Sequence, residues 1–323
     1  MRYLLRAARD REISGCIAAF LAVVIFASYP VATRAGVTGS FAPQDLIVLR
    51  FGIGALLFLP YLVVQFSLIH SEVWLRGISL AIFQGAGMAG LVIFGLQLAP
   101  ANHAAALGPG ISPAWVAVLG YIVFAKRPSV RIVFGAIFCS LGVLVLTYSS
   151  ASGAPAVTLA GDAMFVCASA LGALYVLQLR NWGIGAMQGA AIVTMYSALI
   201  VVPWYAWFTP MSLWDAAPID LLWQVLWQGL LIGCVALIAM SLAIARLGSE
   251  RSSVFFAFVP VLSAVLGILF LGETPSGVEM AGILAISGGV AIGGLRSRAA
   301  TPQSVTRQRT NRPEGYPAPD SAP

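Results

Sequence analysis

Apolar residues in this chain come in long blocks, and short clusters of Gly, Pro and charged residues cut the blocks apart. A helix needs about 20 apolar residues to cross the hydrocarbon layer of a bilayer. Read at that length, the pattern predicts ten spanning helices over residues 14–34, 44–65, 76–98, 102–124, 130–148, 159–179, 187–208, 221–246, 252–271 and 277–295. Most connections are very short. The longest, around Pro210 to Asp220, leaves no room for an extramembrane domain. A basic segment of residues 1–13 precedes the spans. Residues 296–323, rich in Arg, Pro, Ser and Thr, read as a disordered tail. The expected fold class is all-α: a polytopic membrane protein of ten transmembrane helices.

Composition removes the soluble alternative. Apolar types make up 59% of the 323 residues, charged types 9%, and the mean hydropathy is +0.91. A soluble domain carries roughly 25% charged residues, so this chain cannot cover a water-facing surface. The formal charge of +6 is not a nucleic-acid signal, because the basic residues lie at span ends and in the tail. Cys16, Cys139, Cys167 and Cys234 all fall in apolar segments with no C-x-x-C pair, and read as small packing residues. Ser14-Gly15-Cys16 is similar to the end of a lipoprotein cleavage site, but the residues before it are Arg-rich instead of apolar, so no signal peptide is expected there.

Basic residues favour the cytoplasmic side of a membrane. With the N-terminus placed inside, 16 of the 18 Lys and Arg fall on inner segments. Arg34 alone falls outside, and Arg50 lies within the second span, while Asp45, Asp215, Asp220 and Glu273 gather on the outer side. The expected location is therefore the cell inner membrane, multi-pass, with both termini cytoplasmic.

The chain also repeats itself. At a shift of 147, Pro113 matches Pro260, and Ala117, Val118, Leu119 and Gly120 recur as Ala264, Val265, Leu266 and Gly267. Pro128-Ser129 recurs as Pro275-Ser276, and Gly135, Ser140 and Gly142 as Gly282, Ser287 and Gly289. At a shift of 146, Gly15, Tyr29 and Arg34 align with Gly161, Tyr175 and Arg180. Phe83-Gln84-Gly85 aligns more loosely with Trp227-Gln228-Gly229. Five spans per half is an odd number, so the second copy, residues 159–295, must be inverted relative to the first, residues 14–148. Inverted repeats are a recurrent plan of secondary transporters, whose halves rock around a central site.

At these residues the sequence resembles the drug/metabolite transporter superfamily, EamA type. The resemblance is carried by Phe26 to Arg34, Leu49-Arg50-Phe51, Leu98 to Leu107 leading into Pro113, Arg246-Leu247-Gly248 through Pro260, and Leu271-Gly272-Glu273-Thr274-Pro275. It implies a duplicated five-helix unit and export or exchange of amino acids, nucleobases or other small metabolites. One departure is visible: the Leu-Gly-Glu ending of the second half becomes Ala125-Lys126-Arg127 in the first, a basic swap that fits an inner loop.

Polar groups within a membrane are costly and face a cavity or another helix. Arg50 reads two ways, as a holder of an anionic substrate group or as a side chain snorkelling to the interface. Gln84 and Gln228 offer donors and acceptors to a ligand, or an interhelical hydrogen bond. Tyr29 and Tyr175 are either ligand contacts or packing, and Trp227 is a cavity candidate beside Gln228, whereas Trp223 reads as a belt residue. His103 either titrates in transport or opens a helix at the interface. Pro113 and Pro260 interrupt the backbone ladder mid-span, as flex points or static kinks. The candidate substrate-binding set is thus Tyr29, Arg50, Gln84, His103, Tyr175, Trp227 and Gln228, with Pro113 and Pro260 as kink or gating positions.

The carboxylates Asp45, Asp162, Glu250, Glu273 and Glu279 all fall near predicted span ends, and no P-loop pattern is present. This favours a facilitator or exchanger, with proton coupling through His103 or a peripheral carboxylate as the alternative. No cofactor and no metal are expected, and the partners are a small-molecule substrate and the lipid bilayer, not nucleic acid. The leading function is a transporter exporting or exchanging amino acids or related metabolites by alternating access. A translocator of lipid-linked sugar or hydrophobic drug is the second reading, and a non-transporting scaffold the third. An enzyme is not expected, since H-E-x-x-H and G-x-S-x-G are absent.

Overall fold

The computed structural model describes residues 2–125, 128–153, 156–209 and 212–294. The tail expected at 296–323 lies outside the described residues. Among the described residues there is no strand, and ten helices are long and apolar enough to cross a membrane. They are α1 (Asp10–Thr38), α2 (Pro43–Gln65), α3 (Ser71–Leu98), α4 (Ala101–Val123), α5 (Val130–Ser149), α6 (Ala156–Trp182), α7 (Ala186–Phe208), α8 (Pro218–Leu247), α9 (Val254–Leu271) and α10 (Gly277–Gly294). Helix α1 continues back to Arg2, so most of the basic N-terminal segment is helical.

Each half packs through the other. Helix α1 lies against α8 and α9, and its repeat partner α6 lies against α3 and α4. Helix α2 touches α7 and α8, and α7 correspondingly touches α2 and α3. Helices α5 and α10, the last of each half, cross each other. Each of these interfaces has a mirror interface in the other half, as an inverted duplication requires.

The α5–α10 crossing shows the inversion at atomic scale. A Cβ on Gly135 would stand 2.6 Å from the carbonyl oxygen of Gly289, and one on Gly142 would stand 2.6 Å from that of Gly282. Gly289 is the repeat counterpart of Gly142, and Gly282 of Gly135. The pairing runs backwards along the repeat, as it must when the two copies are antiparallel. Between them, Cys139 Sγ lies 3.6 Å from the carbonyl oxygen of Ile286, its own counterpart at a shift of 147. Small residues let helices approach closely where lipid offers no hydrophobic drive between them.

Several spans are broken. Helix α3 is interrupted at Gly85. Helix α4 is a short helix Ala101–Ala105, a widened turn Ala106–Gly110, and a helix Ser112–Phe124. Helix α9 follows Ser249–Phe256 across two turn residues into Val259–Leu271. Pro113 and Pro260 are the second residues of the C-terminal pieces of α4 and α9. Both spans do break mid-length beside these prolines, and each proline sits in the first turn of the piece that follows the break. In a first turn the amide hydrogen has no intrahelical acceptor to lose, so proline fits there without cost.

Call the face at Thr38 distal and the face at Asp10 proximal. One large cluster of buried residues, from Val31, Leu46, Ile93, Leu107, Phe165, Val201 and Ile283 among others, fills the distal half across nine of the ten spans. The proximal half holds small separate clusters, around Phe58 and Ile192, around Leu80 and Leu179, and around Ala18 and Ala243. The bundle is sealed at the distal face and only loosely joined at the proximal one.

Candidate functional site

Two of the sequence candidates meet directly. Arg50 is seven residues into α2, about 10 Å along the helix axis. Its Nη1 donates to the Tyr29 hydroxyl at 2.7 Å, and its guanidinium carbon lies 5.1 Å from the Tyr29 ring centroid. Phe51 lies on another side, at 5.9 Å. Among the described residues no carboxylate comes within ion-pair distance of this guanidinium. A membrane-embedded cation held only by aromatic rings and one phenol retains most of its donors for another acceptor.

Gln228 stands on α8 across α1 from this pair. It is fully buried, and its Nε2 donates to Thr33 Oγ1 at 2.9 Å, while its Oε1 is buried without a partner. One turn earlier, Gln224 Nε2 donates to the Ala32 carbonyl at 2.9 Å. The amide pair locks α8 to α1, and the open Oε1 remains an unused acceptor.

Gln84 ends the first piece of α3, and its Oε1 too is buried without a partner. Gly172 on α6 is its neighbour, since a Cβ there would lie 3.5 Å from Gln84 Oε1. The repeat-related glutamines thus occupy matching places, each against the first helix of the opposite half. Tyr175 does not repeat the role of Tyr29. It packs with Leu80, Leu179 and Val193 in a proximal cluster. Trp227 turns away from Gln228 and forms an edge contact with the exposed Trp223, with ring centroids 5.7 Å apart.

His103 is 1% exposed, not an interface residue. Its Nδ1 lies 2.8 Å from Asp162 Oδ1, and its Nε2 lies 3.4 Å from Glu279 Oε1. The expected position of Asp162 near a span end is also corrected. Helix α6 begins at Ala156, so Asp162 is six residues in, about 9 Å along the axis, and 2% exposed.

A further group escaped the sequence reading. Arg34 Nε pairs with Glu273 Oε1 at 2.7 Å, and Arg34 Nη1 donates to the Leu96 carbonyl at 2.6 Å. Glu273 Oε2 accepts the Ala101 amide at 2.9 Å. This ties α1, α3 and α4 of the first half to the start of α10 at the distal face. Asp45 adds a second tie, accepting from Tyr205 at 2.5 Å and Ser212 at 2.8 Å. Arg34 was visible as the one basic residue at the outer, acidic end of a span, and that oddity was the available signal.

A family model described as the EamA-like transporter family matches the chain twice, over residues 13–148 and 159–293. The chain belongs to that family. This EamA-like transporter is 29% identical over 215 residues to the threonine/homoserine exporter RhtA of Salmonella typhimurium, covering 61% of this chain and 68% of RhtA. It is 25% identical over 237 residues to the uncharacterized transporter YyaM of Bacillus subtilis, covering 71% and 77%. A solved crystal structure at 21% identity matches with a TM-score of 0.60 over 87% of this chain and 97% of the other, which is a likeness of fold. The chain is thus a multi-pass membrane transporter with ten spans in two inverted five-helix repeats.

Proposed function

We propose that this EamA-like transporter exports amino acids or closely related small metabolites across the cell inner membrane by alternating access, with Arg50 holding the substrate carboxylate. The observation that carries this reading is the unpaired Arg50 guanidinium inside the bundle, backed by Tyr29. Burying a cation without a counter-ion is costly, and a carboxylate-bearing substrate removes the cost while bound. The partnerless Oε1 atoms of Gln228 and Gln84 are acceptors suited to a substrate ammonium. The likeness to RhtA, a threonine/homoserine exporter by name, points to the same substrate class.

With the N-terminus in the cytoplasm, the distal face, which holds the large buried cluster and the Arg34–Glu273 pair, is the outer one. A state closed most firmly on the outer side is the one in which an exporter takes up cytoplasmic substrate.

The test is counterflow of labelled threonine in liposomes. Loss of a charge-assisted hydrogen bond worth roughly 2 kcal/mol raises an apparent KM about thirtyfold, and that rise is expected for Arg50→Ala. Gln228→Ala should impair transport less. Wild-type KM values in both variants would remove this site, and no counterflow of any amino acid by the wild type would remove the function.

A further inference from the structure

The charged cluster at His103 is separate from the Arg50 site and is built from both halves of the molecule. His103 is on α4, Asp162 on α6 and Glu279 on α10. Asp162 and His103 are buried, with side chains 3% and 1% exposed, whereas Glu279 retains 18%. Glu279 is anchored by a capping box: its Oε2 accepts the Ser276 amide at 2.6 Å, and its own amide donates to Ser276 Oγ at 3.2 Å. That leaves Oε1 aimed at the imidazole. Capping alone explains one carboxylate oxygen and not the other.

Both ring nitrogens of His103 therefore face carboxylate oxygens. A neutral imidazole carries one N–H, whichever nitrogen holds it. The other nitrogen then presents a lone pair to a carboxylate, which is repulsive in a low-dielectric interior. Consistent with this, Nε2 is buried and makes no properly aligned hydrogen bond. One added proton, on Nε2 facing Glu279, satisfies both sides. Among the described residues, the charged groups in contact with the short helix Ala101–Ala105 or with His103 include Arg34 on α1, Asp162 on α6, Glu273 ahead of α10 and Glu279 on α10. Asp162 and Glu279 both face the imidazole, so a positive charge on the ring is electrostatically welcome. A proton on Nε2 is the cation this geometry fits, since it needs only the one imidazole lone pair and the Glu279 oxygen that faces it.

We infer that the His103–Asp162–Glu279 cluster is a proton-binding site that couples substrate export to inward proton movement. The cluster meets distal water through Glu279 and the interior through Asp162. It is shared between the halves, so the rocking that moves substrate also pulls its members apart and together. The proton enters from the distal side through Glu279 onto His103 Nε2. It leaves toward the proximal side when the halves separate, and the ring returns to its neutral form. This inference rests on the exporter reading above and adds its driving force.

The experiment uses the full-length protein in vesicles loaded with threonine and a trapped pH dye. On dilution into threonine-free buffer, antiport acidifies the lumen as threonine leaves, and a protonophore abolishes the signal. The readout is protons moved per threonine released. His103→Gln should lower that ratio about tenfold or more, and Glu279→Gln should lower it in the same direction. The Glu279 variant decides the matter where the buried His103 variant fails to fold. Threonine release by the wild type with no luminal pH change would overturn the coupling while leaving the exporter reading intact. An unchanged ratio in either folded variant would overturn the site. Absence of any threonine exchange would remove the exporter reading and the coupling with it.

Discussion

At the scale of single residues, one non-glycine position among the described residues adopts a left-handed backbone. Ala125 has φ 51° at the end of α4, and its repeat counterpart Gly272 has φ 68° at the end of α9. The duplication has kept the turn but not the glycine. A left-handed residue with a Cβ is strained by about 1–2 kcal/mol, part of which a glycine returns as greater freedom of the unfolded chain. Ala125→Gly should therefore stabilise the protein by about 0.5–1 kcal/mol, and Gly272→Ala should destabilise it by about 1 kcal/mol. Thermal unfolding in detergent reads both, and opposite shifts are expected. Side-chain roles were less legible than this turn. The sequence marked Arg50, Tyr29 and Gln228 one by one, and two of the three touch. It set Tyr175 beside Tyr29 by symmetry, yet Tyr175 packs among Leu80 and Leu179. Repeat position fixes where a residue starts on its helix. It does not fix what the opposite half has evolved to place against it.

At the scale of elements, the ten spans were readable because membrane insertion demands sustained apolar length, and each predicted range overlaps one spanning helix of the structure. What was not readable was how spans break. The wide turns of α4 and α8 and the Gly85 interruption of α3 follow from tertiary packing and leave no periodicity in the sequence. The helix start at Ala156, three residues before the predicted one, is what carried Asp162 into the interior. The α5–α10 crossing gives the sharpest element-level prediction. Its four glycines bring backbone against backbone, and a Cβ on Gly142 would also stand 2.6 Å from Ile286 Cγ1. Neither a carbonyl nor a helix backbone can swing aside. Gly142→Ala should push the two helices apart and cost about 1–3 kcal/mol. Gly288→Ala, a site on the partner helix α10 with nothing within 4 Å, serves as the neutral control. The yield of monodisperse protein and its melting temperature should fall for the first and hold for the second.

At the scale of the whole molecule, two nearly symmetric halves close asymmetrically. The distal ion pair of Arg34 with Glu273 has repeat counterparts in Arg180 and Lys126, both cationic. Two cations cannot form the mirror latch at the proximal face, so inversion of the fold does not invert the electrostatics. The distal closure is held by a half-buried ion pair, two backbone hydrogen bonds and the large buried cluster, whereas the ion pair at the proximal face, Arg251 with Glu12, is exposed and so contributes less. The equilibrium between the two closed states is accordingly biased toward the one seen here. A half-buried pair with backbone partners contributes about 1–3 kcal/mol, and each 1.4 kcal/mol shifts a two-state population about tenfold. Arg34→Ala should therefore raise the distal opening several-fold. Ala99 is fully buried beneath the latch, so a cysteine placed there, with the four native cysteines replaced by serine, reports opening through its rate of labelling by a membrane-impermeant thiol reagent added on the distal side. Faster labelling is expected with Arg34→Ala and with Glu273→Ala. Arg180→Ala, at the exposed proximal counterpart, should leave the distal rate unchanged or raise it slightly, because removing one of two like charges favours the proximal-closed, distal-open state. Equal rates in the Arg34, Glu273 and parent proteins would mean that the apolar cluster alone holds the distal face shut and that the ion pair is incidental to the resting state.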